Sequence, residues 1–371
     1  MAIRSGAAKH MPVHLTPEFA FLADCCRWNF RAEERTPASF PDNLDPAMFL
    51  RLARFHRVQG LAWRALPAQF VPREIEEALA GDSAAIAALN LQAAHECGIL
   101  LRSFESAAIP LLFLKGLTLG ALAYGESSAK AAVDIDILVP GDALESSAGL
   151  LQSLGFRLTD PAHGDIRRLR RWHRLRKESL WAKPGTPMRI DLHTRLSDTP
   201  RLLPSIDNHS PRQTVDVGNG ILLPTLADDE LFAYLAVHGS WSAWFRLKWM
   251  ADFAALLAPL AGVEIERRYR RSVELGAGRC AMQALLVADT LFDSLARNEP
   301  FRSELRREPA AQMLCRAALK QVAGRREPVE PTAVPLGTAA IHRSELFLVP
   351  GLRFKLTELA RQGFVALANR A

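Results

Sequence analysis

The sequence predicts an α+β protein, with a mixed β-sheet core flanked by an N-terminal and a C-terminal helical lobe. Three observations predict it. Short apolar, β-branched runs of strand length cluster between residues 108 and 224. On either side, apolar residues recur at the three-to-four spacing of helices. Within the core, strand-like and helix-like segments alternate, and Gly218-Asn219-Gly220 marks a tight turn near its end. The expected divisions are a helical lobe over 1–107, the core over 108–224 and a helical domain over 225–371.

Residues 1 to about 45 read as irregular, because Pro12, Pro17, Pro37, Pro41 and Pro46 interrupt any long helix. One helical piece is expected over 17–30. Phe49, Leu50, Leu52, Ala53, Phe55 and Val58 predict a helix over 46–66. Two more are expected over 73–80 and 83–107, the second leading straight into the core.

The core opens with Ile109-Pro110-Leu111-Leu112-Phe113-Leu114-Lys115-Gly116, a buried-looking strand ending at a glycine, then a helix over 117–124. A strand that ends in Gly and opens a helix presents backbone N–H groups to an anion. Next comes Val133-Asp134-Ile135-Asp136-Ile137-Leu138-Val139. Side chains alternate along a strand, so Asp134 and Asp136 share one face and repel each other. A divalent cation resolves that conflict, and Mg²⁺ is typically held by carboxylates together with substrate phosphates. The plainer reading is a half-exposed strand with a charged outer face. A helix over 143–154 and a further strand lead to Met188-Arg189-Ile190-Asp191-Leu192-His193, where Asp191 is a third acid. Two carboxylates on one strand and a third on a neighbour, beside a phosphate turn, suit two-metal phosphoryl or nucleotidyl transfer. Short strands over 214–217 and 221–223 are expected to form a hairpin.

Beyond the core, Thr225-Leu226-Ala227-Asp228 reads as a helix cap. Leu231, Tyr234, Leu235 and His238 fall on one face, and Phe245, Trp249, Asp252, Phe253 and Leu256 on another stripe. Asp252 is an acid on an apolar stripe and requires a partner. Lys248 and His238 are its nearest candidates in sequence. The three residues form either a buried tie between helices or part of the nucleotide- or acceptor-binding cleft. Further helices are expected over 261–323, including 278–298, with a linker from Pro328 to Pro335. A basic amphipathic helix over 353–370 is expected to dock on the body of the protein.

The 371 residues are 49% hydrophobic and 23% charged, ordinary for a packed soluble protein. No apolar run approaches the ~18 residues that span a bilayer, and residues 1–12 lack the apolar segment of a secretory signal. Cys25, Cys26, Cys97, Cys280 and Cys315 are odd in number and show no Cys-x-x-Cys spacing. That argues against a disulfide framework or zinc site and predicts free thiols in a cytoplasmic protein. Of the net +6, a disproportionate share lies in residues 167–177, seven cations in eleven residues. Three readings stand for this stretch: a solvated face, a cradle for triphosphate or an acidic acceptor, or a nucleic-acid contact in which Trp172 and His173 stack on bases.

Residues from about 108 to 196 resemble the nucleotidyltransferase superfamily that includes DNA polymerase β, kanamycin nucleotidyltransferase and the minimal nucleotidyltransferases. The chain more closely resembles the bacterial uncharacterised nucleotidyltransferase family, over roughly 46–257. The motifs that carry the resemblance are Leu114-Lys115-Gly116, Tyr124, Lys130, Asp134-Ile135-Asp136-Ile137-Leu138-Val139 and Asp191-Leu192-His193. It continues through Asp228-Asp229-Glu230-Leu231, His238, Arg246-Leu247-Lys248-Trp249 and Asp252. The wider superfamily has Gly-Ser where this chain has Lys115-Gly116. Lys130 stands where the closer family more often has Arg; lysine keeps the charge but loses the bidentate fork.

The resemblance implies a nucleotidyltransferase-type sheet and a metal-dependent enzyme. It implies that Asp134, Asp136 and Asp191 bind metal and act in catalysis. Lys115, Gly116 and Lys130 are expected to hold phosphates, with His238, Lys248 and Asp252 as further nucleotide-binding positions. Two Mg²⁺ ions, or Mn²⁺, are the expected cofactors, and an NTP, ATP first, the expected donor. The acceptor is a small molecule, a peptide natural product or a protein. The alternatives are a non-catalytic nucleotide- or partner-binding protein on the same fold and a nucleic-acid-directed transferase.

Overall fold

A computed structural model describes residues 15–30, 40–66, 71–132, 134–162, 166–323, 329–334 and 336–368, apart from the side chains of Arg167 and of residues 365–368. Val133, Pro12, Pro37, Pro328, Pro335 and residue 370, which enter the expectations above, lie outside the described residues. The chain forms two compact units, one from Met1–Ser83 and Leu235–Gln362, the other from Ala84–Tyr234 and Gly363–Ala371.

The second unit holds the sheet. Its strands are β1 (Leu112–Phe113), β2 (Ile135–Leu138), β3 (Arg157–Asp160), β4 (Glu178–Ala182) and β5 (Arg189–His193), in the order β1-β2-β5-β4-β3. Only β2 and β5 are parallel; the other pairings are antiparallel. The sheet is mixed and the fold is α+β, as the sequence predicts. A separate hairpin, β6 (Arg212–Asp216) and β7 (Leu222–Leu226), turns through Gly218, Asn219 and Gly220, all at positive φ.

Side-chain alternation divides the sheet into two faces. Ile135, Ile137, Ile190, Leu192 and Trp181 are buried on one face. They pack with Phe104, Leu144, Leu151, Phe156 and Leu169 in the core of this unit. Their intervening neighbours, Asp136, Asp191, His193 and Glu178, share the other face.

Several elements differ from their expected bounds. The expected strand over 109–116 pairs only at Leu112 and Phe113. Pro110 has no N–H to give a ladder, and past Leu114, whose N–H bonds Asp136 O at 3.0 Å, the chain turns at Gly116. The helices expected over 73–80 and 83–107 are one, Arg73–Ser106. Gly81 costs a helix about 1 kcal/mol, too little to break 34 residues. Conversely, the helix expected over 46–66 is two, Pro46–His56 and Gln59–Ala65, because Arg57 enters the left-handed region at φ 57°. The basic stretch forms the helix Ile166–Leu175 between β3 and β4. Downstream, Phe245 precedes its helix, Leu247–Leu257, and the helix expected over 278–298 ends at Phe292.

The helix Arg73–Ser106 is long and apolar enough to cross a membrane by length and composition alone. Its apolar side chains Ala93, Ala94, Cys97, Leu100 and Phe104 lie in the core, and its buried Glu96 pairs with Lys183 at 3.0 Å. That is the pattern of a core helix.

The first unit is helical. The helix Gly278–Phe292, buried over most of its length, packs against Leu247–Leu257, Gly262–Glu274 and Pro309–Ala323. All five cysteines are buried free thiols. In the C-terminal helix, Leu352–Ala368, Phe354 and Glu358 are buried, whereas Leu352, Leu356 and Leu359 are exposed.

Candidate active site on the polar sheet face

The site is built by strand register. Asp136 on β2 is the direct partner of Asp191 on β5. His193 lies two residues beyond Asp191 and so shares its face; Glu178 on β4 is its register partner. Asparagines clamp both ends of the Asp136 segment. Asn90, buried on the long helix, donates to Ser127 O (2.8 Å) and Lys130 O (2.7 Å) and accepts from Ala132 N (2.8 Å). Asn208 donates to Leu138 O at 2.7 Å.

Asp136 is buried and forms an ion pair with Lys115. Its Oδ1 also meets His193 Nε2 at 3.2 Å. Burial by itself would raise this carboxyl, but Lys115, then His193, hold it well below the usual range. Burial works against the charge on Lys115, and Asp136, with Tyr234 and Asp191, overcomes it and raises the ammonium. Glu178 contacts His193 Nε2 at 3.2 Å and pairs with Lys177. Burial opposes its charge, yet Lys177 and His193 bring it down to about 2. His193 is lowered by burial first and Lys177 second, so the imidazole is neutral near pH 7. Its buried Nδ1 has no hydrogen-bond partner among the described residues.

Asp191 is different. Its half-buried carboxylate accepts no hydrogen bond among the described residues. Burial, then Asp136, with Glu178 and Asp134 adding and Lys115 opposing, raises it to about 8. Four acids, Asp134, Asp136, Glu178 and Asp191, therefore face two lysines, with a neutral histidine between them. Asp136, Asp191 and His193 each offer a ligand atom, mutually within 4.8 Å. Two carboxylate oxygens and an imidazole nitrogen, carrying excess negative charge, form a donor set that fits a divalent cation.

Asp134 stands one residue before β2, at a bend, half-buried and within electrostatic reach of Asp191. Gly116 caps the helix Leu117–Tyr124 at φ 74°, ψ −117°, a conformation glycine alone adopts readily. A Cβ there would meet Asp134 O at 3.5 Å, so the turn runs beside the acid bend. Lys130 is buried, its carbonyl held by Asn90. His238, Lys248 and Asp252 belong to the helical unit. The His238 ring meets Trp249 edge-on, and Asp252 is buried within electrostatic reach of Cys26.

Sequence reasoning did not assign His193, Glu178, Tyr234 or Asn90 to this site, and it offered Lys177 only as the end of the 167–177 stretch. His193 had a signal, since two residues past Asp191 on a strand is the same face. Glu178 and Asn90 had none, because only register and tertiary packing bring them in.

A family model described as uncharacterised nucleotidyltransferase matches residues 42–293, more than half of the chain. No curated protein matches it. The chain belongs to the uncharacterised nucleotidyltransferase family, and general nucleotidyl transfer is the chemistry that membership supports.

Proposed function

We propose that this member of the family is a metal-dependent nucleotidyltransferase that moves a nucleoside monophosphate from an NTP, ATP first, to an acceptor hydroxyl. One observation carries the reading: Asp136 and Asp191 are register partners on parallel strands and, with His193, form a compact three-donor group. The acceptor oxygen attacks the α-phosphorus in line. An O–Pα bond forms, the bond from Pα to the bridging oxygen breaks, and pyrophosphate leaves with that electron pair. The Asp191 carboxylate takes the hydroxyl proton.

Asp136, Asp191 and His193 would hold a divalent ion, with Asp134 alongside. When bound, it supplies positive charge against the gathering phosphates. Mg²⁺ suits the carboxylates and Mn²⁺ the mixed oxygen and nitrogen set. Four acids against two lysines leave charge for one divalent ion, and a second would be held by the triphosphate oxygens. Lys115, once displaced from Asp136, and the backbone of the Gly116 turn hold the outer phosphates.

One observation favours a second reading, non-catalytic binding: Lys115 already neutralises Asp136. Pyrophosphate release with Mg²⁺ or Mn²⁺ and each of the four NTPs separates the two. The transferase reading expects release that falls about 10³-fold in Asp136→Asn, the scale of losing one transition-state electrostatic group. Wild-type release by Asp136→Asn overturns it; nucleotide binding without any release supports the second reading.

A further inference from the structure

The cationic helix Ile166–Leu175 takes no part in the reaction above. Its inward side is fully used. Leu169 is buried in the core of the sheet unit, with Ile166 and Trp172 packed against that core. The Trp172 indole N–H donates to Glu178 O at 2.9 Å. The buried His173 ring lies 2.9 Å from Thr194 Oγ1 and 3.1 Å from Ser179 Oγ. Arg195 ties down the end of the helix, donating to His173 O at 2.7 Å and Arg174 O at 3.3 Å. The helix is thus fastened to β4 and to the segment that follows β5, with both of its aromatic rings engaged in the protein.

Its outward side carries Arg168, Arg170, Arg171 and Arg174, all exposed. Arg170 pairs with Glu145 at 2.7 Å. The guanidinium groups of Arg168, Arg171 and Arg174 make no hydrogen bond or ion pair among the described residues. Spaced three apart, they cover one broad face and span about 9 Å along the axis. The stretch then runs into the candidate site, where Lys177 meets Glu178, and Glu178 meets His193 at 3.2 Å.

Guanidinium forks suit phosphate oxygens. Single-strand binding draws most of its base contact from accessible aromatic platforms, and here Trp172 and His173 are pinned by hydrogen bonds. The face offers charge without stacking, the chemistry of sequence-independent backbone contact with a duplex, which carries one charge per about 1.7 Å of axis. We propose that Arg168, Arg171 and Arg174 dock the phosphate backbone of a double-stranded nucleic acid, which delivers the acceptor hydroxyl to the sheet site. The acceptor role rests on the transferase reading; the docking does not.

The test is fluorescence anisotropy on the full chain without metal or NTP, using a short mixed-sequence duplex, its single strand and polyglutamate across a salt series. The duplex binds most tightly. Arg168→Ala/Arg171→Ala/Arg174→Ala lowers the slope of log affinity against log salt by about 2.7, three phosphates at about 0.9 each. The corresponding triple Lys variant keeps the slope and excludes a folding defect. Arg51→Ala/Arg343→Ala, in the helical unit, leaves it unchanged. An unchanged slope in the triple Ala variant, equal binding of single strand and duplex, or preference for polyglutamate overturns the proposal. Because nothing turns over in this assay, its failure leaves pyrophosphate release untouched, and failure of release leaves the slope readable.

Discussion

Both units bury carboxylates that burial raises, and they partner them differently. In the helical unit Asp289 is buried but receives Arg302 Nε at 2.8 Å, Arg306 at 3.0 Å and the Leu295 amide at 3.2 Å. On the sheet face Asp191 receives no hydrogen bond among the described residues and sits among three other acids. The first arrangement offsets much of the cost of desolvation with guanidinium partners, although burial still raises the Asp289 carboxyl somewhat. The second leaves it unmet and pushes a proton onto Asp191. A protein stores such imbalance where a ligand is to complete the charge, and perturbed groups of this kind mark functional sites.

The contrast is broken most directly by Asp191→Asn. Pyrophosphate release should fall 10²- to 10³-fold, on the order of 3–4 kcal/mol of transition-state stabilisation. The denaturant midpoint of the metal-free protein should hold or rise, because a crowded acid is gone. Asp289→Ala should do the reverse, keeping release while costing about 2 kcal/mol of stability by removing a buried acceptor shared by the half-buried Arg302 and Arg306 and the Leu295 amide. If Asp191→Asn destabilises as much as Asp289→Ala, the sheet acids are structural and the contrast fails.

Gly116→Ala sharpens the account of the phosphate turn. At φ 74° and ψ −117°, a side chain costs about 2 kcal/mol of backbone strain. The added Cβ meets only ordinary contacts, so thermal unfolding should report that loss, and nucleotide affinity should fall with it. Wild-type stability in this variant would show that the turn relaxes freely.

The smallest effect is in pH. With its carboxyl raised to about 8, Asp191 holds a proton below that pH, and a bound cation must displace it. Metal affinity should rise about tenfold per pH unit up to about 8 and then level. Calorimetry in two buffers of different ionisation heat should detect about one proton released per ion. The folded carboxyl titrates above its ordinary value of 3.8. Its contribution to stability is therefore present below about pH 4 and lost as pH rises through about 8 in the metal-free protein. Asp191→Asn should remove both dependences.

The strand-turn-helix at Gly116 and the acids on the second and fifth strands were legible in the sequence, because the period of a strand and the demands of a turn are local. The long helix Arg73–Ser106 was not, since Gly81-Asp82-Ser83 reads locally as a break and the helix is held by contacts far along the chain. The one-residue offset of Asp134 from β2 was equally hidden. Where a strand begins depends on its partners, and β2 pairs from Ile135 onward.

The sequence by itself determined the α+β class, the family and the identity of the paired acids, because periodicity, turn chemistry and charge spacing are written within a few residues of one another. Only the tertiary structure decided which groups stand beside those acids. Glu178, Lys177 and Asn90 reach the site through sheet register and helix packing. The charge imbalance at Asp191 arises from that assembly, since burial and neighbouring charge have no value until distant segments meet.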